Sequence, residues 1–581
     1  MPAMRFRVWA PFATDVELDV AGARRPMAGD GSGWFQVDVP EATPGMDYGF
    51  ALDGGDVLPD PRSGWQPDGV HGLSRVPEVF TEWTDGGWSA PPLEEWVVYE
   101  LHIGTFTPEG TFDAAVERLS HLVELGVTTV ELMPVAEFSG DHGWGYDGVD
   151  LFAPHHAYGA PDALKHFVDA AHSRGLAVVL DVVYNHLGPA GNYLGRFGPY
   201  FTDHYSTPWG DAVNFDGPGS DEIRRFFIDN ALMWLAEYHF DGLRLDAVHA
   251  ILDLSATHFL EQLADEVEVL VEQLGRPLFL IAESDLGDPR VVTGGTLGGY
   301  GIDAQWNDDF HHALHAALTG ERSGYYVDFG SIEDVAKAMR DAFVYDGRYS
   351  SYRGRKHGRP ATHLSSAHFL AYLQNHDQVG NRAVGDRSSA SLSKDLVKVG
   401  AALVLMSPFV PMLFQGEEWG ASTPFQYFTS HPDEELGQRV SAGRRREFAA
   451  FGWNPDDVPD PQDPATFLRS KLKWDELDEG PHSDLLEWHK RLLELRRATG
   501  GLGMGKMGDV ETSFDEDQRW LSVRRAGMTI VANLSAALVE VPIEGDLGDA
   551  LIWSPGEPQR SGDSLKLKPE SVIIYSSRGA A

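Results

Sequence analysis

The chain has no cysteine, so disulfides, thiolate nucleophiles and cysteine-ligated zinc are excluded. It also lacks a long apolar run, and no stretch reaches the roughly 18 residues that a membrane-spanning helix needs. The start, Met1-Pro2-Ala3-Met4-Arg5-Phe6-Arg7, carries no secretory apolar segment, and the expected compartment is the cytoplasm. Basic residues are scarce: 46 Lys and Arg stand against 88 Asp and Glu, a net charge of −42. A phosphate backbone needs clustered cations. No nucleic-acid partner is therefore expected, nor a membrane, and a neutral substrate fits better. What is present is an ordinary globular composition, 42% hydrophobic and 23% charged over 581 residues. That length allows about two to four domains.

Residues 1–90 alternate apolar and polar positions. Phe6 and Val8, then Val16, Leu18 and Val20, then Trp34, Gln36, Tyr48 and Phe50 lie between Gly- and Pro-rich turns. This predicts a small β-sandwich. Over 91–504 apolar β-type runs alternate with helical stretches, as in a parallel sheet built from βα units. Strands are expected at 96–101, 127–132, 176–180, 241–246, 278–282, 302–305, 369–373 and 410–414, with helices at 112–125, 161–173 and 223–238. Eight such units predict an α/β fold, a (β/α)8 TIM barrel with its chemistry at the C-terminal strand ends. Aromatic-rich insertions at about 187–219 and 320–365 interrupt the alternation, and loops of that length are usually functional. Over 505–581, alternation at 520–535 and 572–575 predicts a small C-terminal antiparallel β-domain.

The expected strand ends carry Asp181, Asp246, Glu283, Trp306 to Asp309, Asp377 and Glu417. Like charges repel in a shared site, so several carboxylates on one rim are hard to explain as structure alone. Asp246 lies between Arg244 and His249. An Arg-x-Asp pair by itself reads as a structural ion pair, yet a guanidinium also keeps its neighbour ionised, as a nucleophile must be. Glu283 follows an apolar run, where desolvation and Asp246 would both raise its pKa toward that of a general acid. Around Asp377, the residues His376, Gln378 and Asn381 can all hydrogen-bond a hydroxyl-rich ligand. His186 can donate to a sugar hydroxyl, although a single His is more often structural. One carboxylate attacking an anomeric carbon while a second protonates the leaving oxygen is glycosidic cleavage. Adjacent barrel strands can supply the roughly 5 Å spacing of a retaining enzyme.

The stretches around Asp181, Asp246, Glu283 and Asp377 resemble the four motifs of the α-amylase glycoside hydrolase family, over about residues 95–420. The resemblance implies Asp246 as nucleophile, Glu283 as acid/base and Asp377 as the carboxylate that stabilises the transition state. It implies that Arg244 orients Asp246, that His186 and His376 bind the reacting sugar, and that Tyr146 stacks on it. A narrower resemblance, to the maltooligosyltrehalose trehalohydrolases, rests on three segments. They are 305–315, with Trp306, Asp308, Asp309, Phe310, His311 and His312; Gly416-Glu417-Glu418-Trp419 with 422–428; and the loop 66–72. That family releases trehalose by cleaving the α-1,4 bond next to a terminal trehalose unit. The run 308–312 would then read the α,α-1,1-linked glucose pair on the leaving-group side.

Two His beside two Asp in that run could instead form a metal cluster, and Asn185 matches a calcium-binding position in many amylases. The resemblance favours no metal and no cofactor. It implies a maltooligosaccharide-type substrate and functional coupling to maltooligosyltrehalose synthase. Glycogen branching or debranching enzymes, and an inactive glucan-binding protein, are the alternatives. The unbroken surface acidity offers no obvious interface, and a monomer or homodimer is expected.

Overall fold

A computed structural model describes residues 3–450, 457–543 and 547–577. Eight parallel strands close a barrel: β1 (Val98–Leu101), β2 (Thr129–Leu132), β3 (Ala177–Val182), β4 (Gly242–Leu245), β5 (Phe279–Ala282), β6 (Ala304–Trp306), β7 (Phe369–Ala371) and β8 (Val410–Phe414). They pair in chain order, and β8 returns to β1 with Met412 opposite Val98 and Phe414 opposite Glu100. Nearly every strand residue is buried, because a parallel barrel is covered on both faces.

Alternation sorts the strand residues. Val98, Ala177, Val179, Ile281, Ala304, Trp306, Leu370, Val410 and Met412 share an inner cluster. Tyr99, Leu101, Leu132, Leu180, Leu243, Leu245 and Leu280 belong to the outer core between barrel and helices. Two positions beyond the inner apolar residues, the same period turns Glu100, Glu131, Asp181 and Arg244 inward. The upper layer of the barrel interior is therefore charged.

Two antiparallel sheets precede the barrel, one of three strands and one of five. They share its continuous core, with Trp9 edge-on to Tyr200 at 5.8 Å. After it come antiparallel sheets of five and three strands. Between β2 and the helix Pro161–His172, the strands Ala136–Phe138 and Gly148–Pro154 form a hairpin. Neither insertion is structureless. The first carries the hairpin Phe201–Thr207 with Gly210–Val213; the second carries the helix Ile332–Asp341 and the hairpin Asp346–Ser350 with Arg355–Gly358.

Three expectations need correction. The helix expected at 112–125 is two, Phe112–Val116 and Leu119–Leu125, the first capped by Thr111 and the second ended by Gly126 at φ 103°. The expected strand 96–101 starts only at Val98, because a 3-10 turn at Leu93–Glu95 precedes it and takes Trp96 as its cap, with the Trp96 N–H bonded to the Leu93 carbonyl. The alternating run 520–535 is a hairpin, Trp520–Arg525 with Met528–Asn533. It reverses at Ala526 and Gly527, whose φ values of 47° and 73° suit a two-residue turn. Among the described residues no helix is long and apolar enough to cross a membrane.

Candidate active site

A cleft of about 360 Å³ opens at the C-terminal strand ends, lined among others by Tyr146, His186, Asp246, His249, Glu283, His376, Asp377 and Asn381. A wider groove of about 730 Å³ runs beside the helix Phe259–Leu274. Its lining holds Glu261, Asp265 and Glu268 but no aromatic ring, so size does not mark the site.

The centre of the cleft floor is Arg244, fully buried on β4. Its Nη1 donates to Asp181 at 2.8 and 2.9 Å and to Asp246 Oδ1 at 2.8 Å. Its Nη2 lies 3.3 Å from Glu283 Oε2. Trp306 supports the guanidinium from one face at 4.2 Å. One fixed cation thus holds two strand-end acids, Asp246 and Glu283, side by side. Asn185 donates to the other Asp246 oxygen at 2.7 Å. Beyond Asp246 the chain turns left-handed at Ala247, φ 39°, which brings its N–H to Glu283 Oε2 at 2.6 Å. Burial pushes Glu283 up to about 8, with Asp246 and Asp377 adding to the rise and Arg244 opposing it. Glu283 is therefore largely protonated at neutral pH.

The opposite wall comes from the short helix His376–Gly380, capped by Asn375. His376 Nδ1 lies 2.5 Å from Glu100, and its Nε2 lies 2.7 Å from the Tyr146 hydroxyl. That hydroxyl donates to Asp181 at 2.6 Å. Burial alone would lower the His376 pKa, but Glu100 and Asp377 outweigh it and hold the ring up to about 9. Burial raises Asp181 to about 6 against the pull of Arg244. Asn381 donates to Asp377 Oδ1 at 2.9 Å and fixes its outward orientation. His186 is stacked on Trp209 at 4.2 Å, and its ring nitrogens lie 2.5 Å from Asn185 Oδ1 and 3.0 Å from the Tyr146 carbonyl.

The structure does not bring the whole run 308–312 to the cleft. These residues open the helix Asp308–Thr319, and a helix cannot aim five consecutive side chains one way. Asp308 stays at the rim and accepts from Tyr372 at 2.6 Å. Asp309 turns to the second insertion and accepts the Tyr345 N–H at 2.7 Å. Phe310 is fully buried against Phe409, and His311 is buried with its Nε2 2.9 Å from the Tyr326 hydroxyl. His312 packs against Tyr325 and Phe329. Gln378 accepts weakly from the Tyr325 and Tyr326 hydroxyls at 3.5 and 3.4 Å. Glu417 sits below the rim, its Oε2 taking the Phe414 N–H at 3.1 Å, and burial pushes it up to about 8. His249 lines the cleft 4.0 Å from Asp285.

Several site residues escaped the sequence reading. Glu100 could have been found, because it is a lone acid near the end of the apolar run of β1, as Asp181 is in β3. Glu131, buried with both oxygens lacking a hydrogen-bond partner, carried the same signal. Arg444, which donates to the Gly380 carbonyl at 2.5 Å and to Asn381 at 3.1 Å, comes from a helix beyond the barrel and carried none.

Comparison with known proteins agrees with this geometry. Residues 68–200 match the family model "Alpha amylase, catalytic domain", and residues 506–574 match "Domain of unknown function (DUF3459)". A malto-oligosyltrehalose trehalohydrolase of Rhizobium sp. (strain M-11) is 50% identical, over 98% of this chain and 97% of that one. One from Mycobacterium tuberculosis is 51% identical over 98% of each. The crystal structure of a Salmonella typhimurium protein described as an alpha amylase superposes with a TM-score of 0.91 at 40% identity, covering 99% of this chain and 98% of that one. A pullulanase from Paenibacillus barengoltzii shares the fold, with a TM-score of 0.71 at 18% identity over 99% of this chain and 93% of that one. With these likenesses spanning nearly its whole length, the chain belongs to the malto-oligosyltrehalose trehalohydrolase family.

Proposed function

We propose that the protein is a retaining glycoside hydrolase that cleaves the α-1,4 bond next to the terminal trehalose unit of maltooligosyltrehalose and releases free trehalose. The observation that carries this reading is Arg244, within 2.8 Å of Asp246 and 3.3 Å of Glu283. It hydrogen-bonds one carboxylate and sits beside another that burial keeps protonated. Asp246 attacks the anomeric carbon while Glu283 passes its proton to the leaving oxygen of the trehalose unit. Glu283, now a carboxylate, takes a proton from water, which displaces Asp246 and restores the anomeric configuration. Asp377 binds the hydroxyls of the reacting sugar with protonated His376 beside it, Tyr146 stacks on its face, and His186, whose ring nitrogens already face Asn185 and the Tyr146 carbonyl, walls the side. Asp308, at the rim, is on the leaving-group side.

The same reading divides the chain near residues 90 and 504. It places the enzyme in the cytoplasm, coupled in function to maltooligosyltrehalose synthase. Mass spectrometry of the products from one defined maltooligosyltrehalose is the test. Free trehalose and a shortened maltooligosaccharide are expected. New α-1,6 branches in amylose, with no trehalose released, would overturn the reading.

A further inference from the structure

The run 308–312 does not gather ligand atoms, but another group does. Among the described residues, the only set of three metal-ligating side chains whose donor atoms converge is Glu137, His155 and His156, all within 4.8 Å of one another. Glu137 lies on the first strand of the hairpin that follows β2, and the two histidines follow the second strand directly. Glu137 is fully buried. Its Oε1 lies 2.8 Å from His156 Nδ1, and its Oε2 accepts the His156 N–H at 2.7 Å.

His155 is the residue that its single long ion-pair contact leaves least satisfied. It is 0% exposed, held flat on Phe138 at 3.7 Å, and neither ring nitrogen makes a hydrogen bond. Its Nδ1 nevertheless points at Glu137 Oε2 from 3.2 Å. Buried imidazole nitrogens are normally satisfied. Asp150, the cross-strand partner of Glu137, is also buried with Oδ2 lacking a hydrogen-bond partner.

We propose that Glu137, His155 and His156 form a structural site for a divalent transition-metal ion of the zinc class. Two imidazoles and a carboxylate suit Zn²⁺, whereas Ca²⁺ takes oxygen ligands. Ligands of a tetrahedral zinc lie about 3.3 Å apart, close to the 2.8 and 3.2 Å from Glu137 to the two imidazoles. His156 Nε2 faces the exposed Asp141 at 3.8 Å, the position of a carboxylate that orients a metal-bound imidazole. His156 is partly exposed and gives the ion a path in. The bound ion would clamp the base of the hairpin that carries Trp144 and Tyr146, without touching substrate.

The test uses the full chain, stripped with a chelator and titrated with Zn²⁺, then with Co²⁺ as a coloured probe. One equivalent per chain is expected, with a visible Co²⁺ spectrum of nitrogen and oxygen ligation and slower amide exchange over residues 136–156. His156→Ala, at a partly exposed position, should weaken binding about tenfold or more, and Glu137→Gln should do the same. Wild-type chain that takes up no zinc, or variants that bind it unchanged, would overturn the proposal. Either result is independent of trehalose release, so the site and the catalytic reading stand or fall separately.

Discussion

Arg244 sets the charge state around it because its own charge is fixed and its place is enforced by burial. The acid it disfavours least is Glu283, which it meets with Nη2 alone. That carboxyl donates a proton only while it holds one. With Glu283 pushed up to about 8, kcat/KM is expected to hold on the acid side of that value and to fall as pH rises through it. A pH–rate profile that stays flat past pH 9 would remove Glu283 as the acid. Glu283→Gln should lose about 10²-fold or more in kcat with binding retained, as single-turnover kinetics and calorimetry can show. The same group links stability to pH. Its folded value of about 8 exceeds the ordinary 4.5, so folding takes up a proton between them. Its contribution is complete below the lower value and declines as pH rises toward the upper one. Urea melts at pH 5 and pH 9 should differ less for Glu283→Gln than for the native chain.

Among the elements, the short helix His376–Gly380 is packed too closely to admit a side chain at its last position. A Cβ on Gly380 would stand 2.1 Å from two ring carbons of Trp144, and that ring also packs edge-on to His376. Gly380→Ala must therefore displace the helix or the indole, and Asp377 with it. Misplacement by about 1 Å can cost on the order of 10²-fold. A loss of at least about tenfold in kcat with unchanged far-ultraviolet circular dichroism is the expected outcome.

The strands of the barrel were legible because apolar runs of fixed length need no partner to be recognised, and the acids at their ends marked the rim. Asp246, Glu283 and Asp377 all face the cleft. Which way a side chain points within a helix was less legible. Residues 308–312 form one helical turn and more, so motif membership says nothing about which of them meets solvent. Phe310 and His311 turned into the core for that reason. Glu100 and Glu131 were visible as acids in apolar strands, but only the barrel register shows that both point inward. The break at residues 117–118 depends on tertiary packing that no periodicity records.

At the scale of the molecule, the charge of −42 surrounds a cleft whose proposed ligand is neutral. Screening then has little to act on during binding. Raising NaCl from about 50 to about 500 mM should change kcat/KM by less than about twofold. The melting temperature should rise over the same range as self-repulsion is screened. A steep salt dependence of KM would point to a charged substrate.

The seam at which Met412 meets Val98 also dictates when the enzyme can exist. Val98 emerges from the ribosome early and must wait for the last strand. At roughly 5–20 residues per second, that delay is on the order of half a minute. Throughout it the first strand has an open edge, and for most of it Glu100 has no His376 to hold. A nascent chain is therefore inert until its final barrel strand appears, and in the interval it is a client for chaperones that shield unpaired strands.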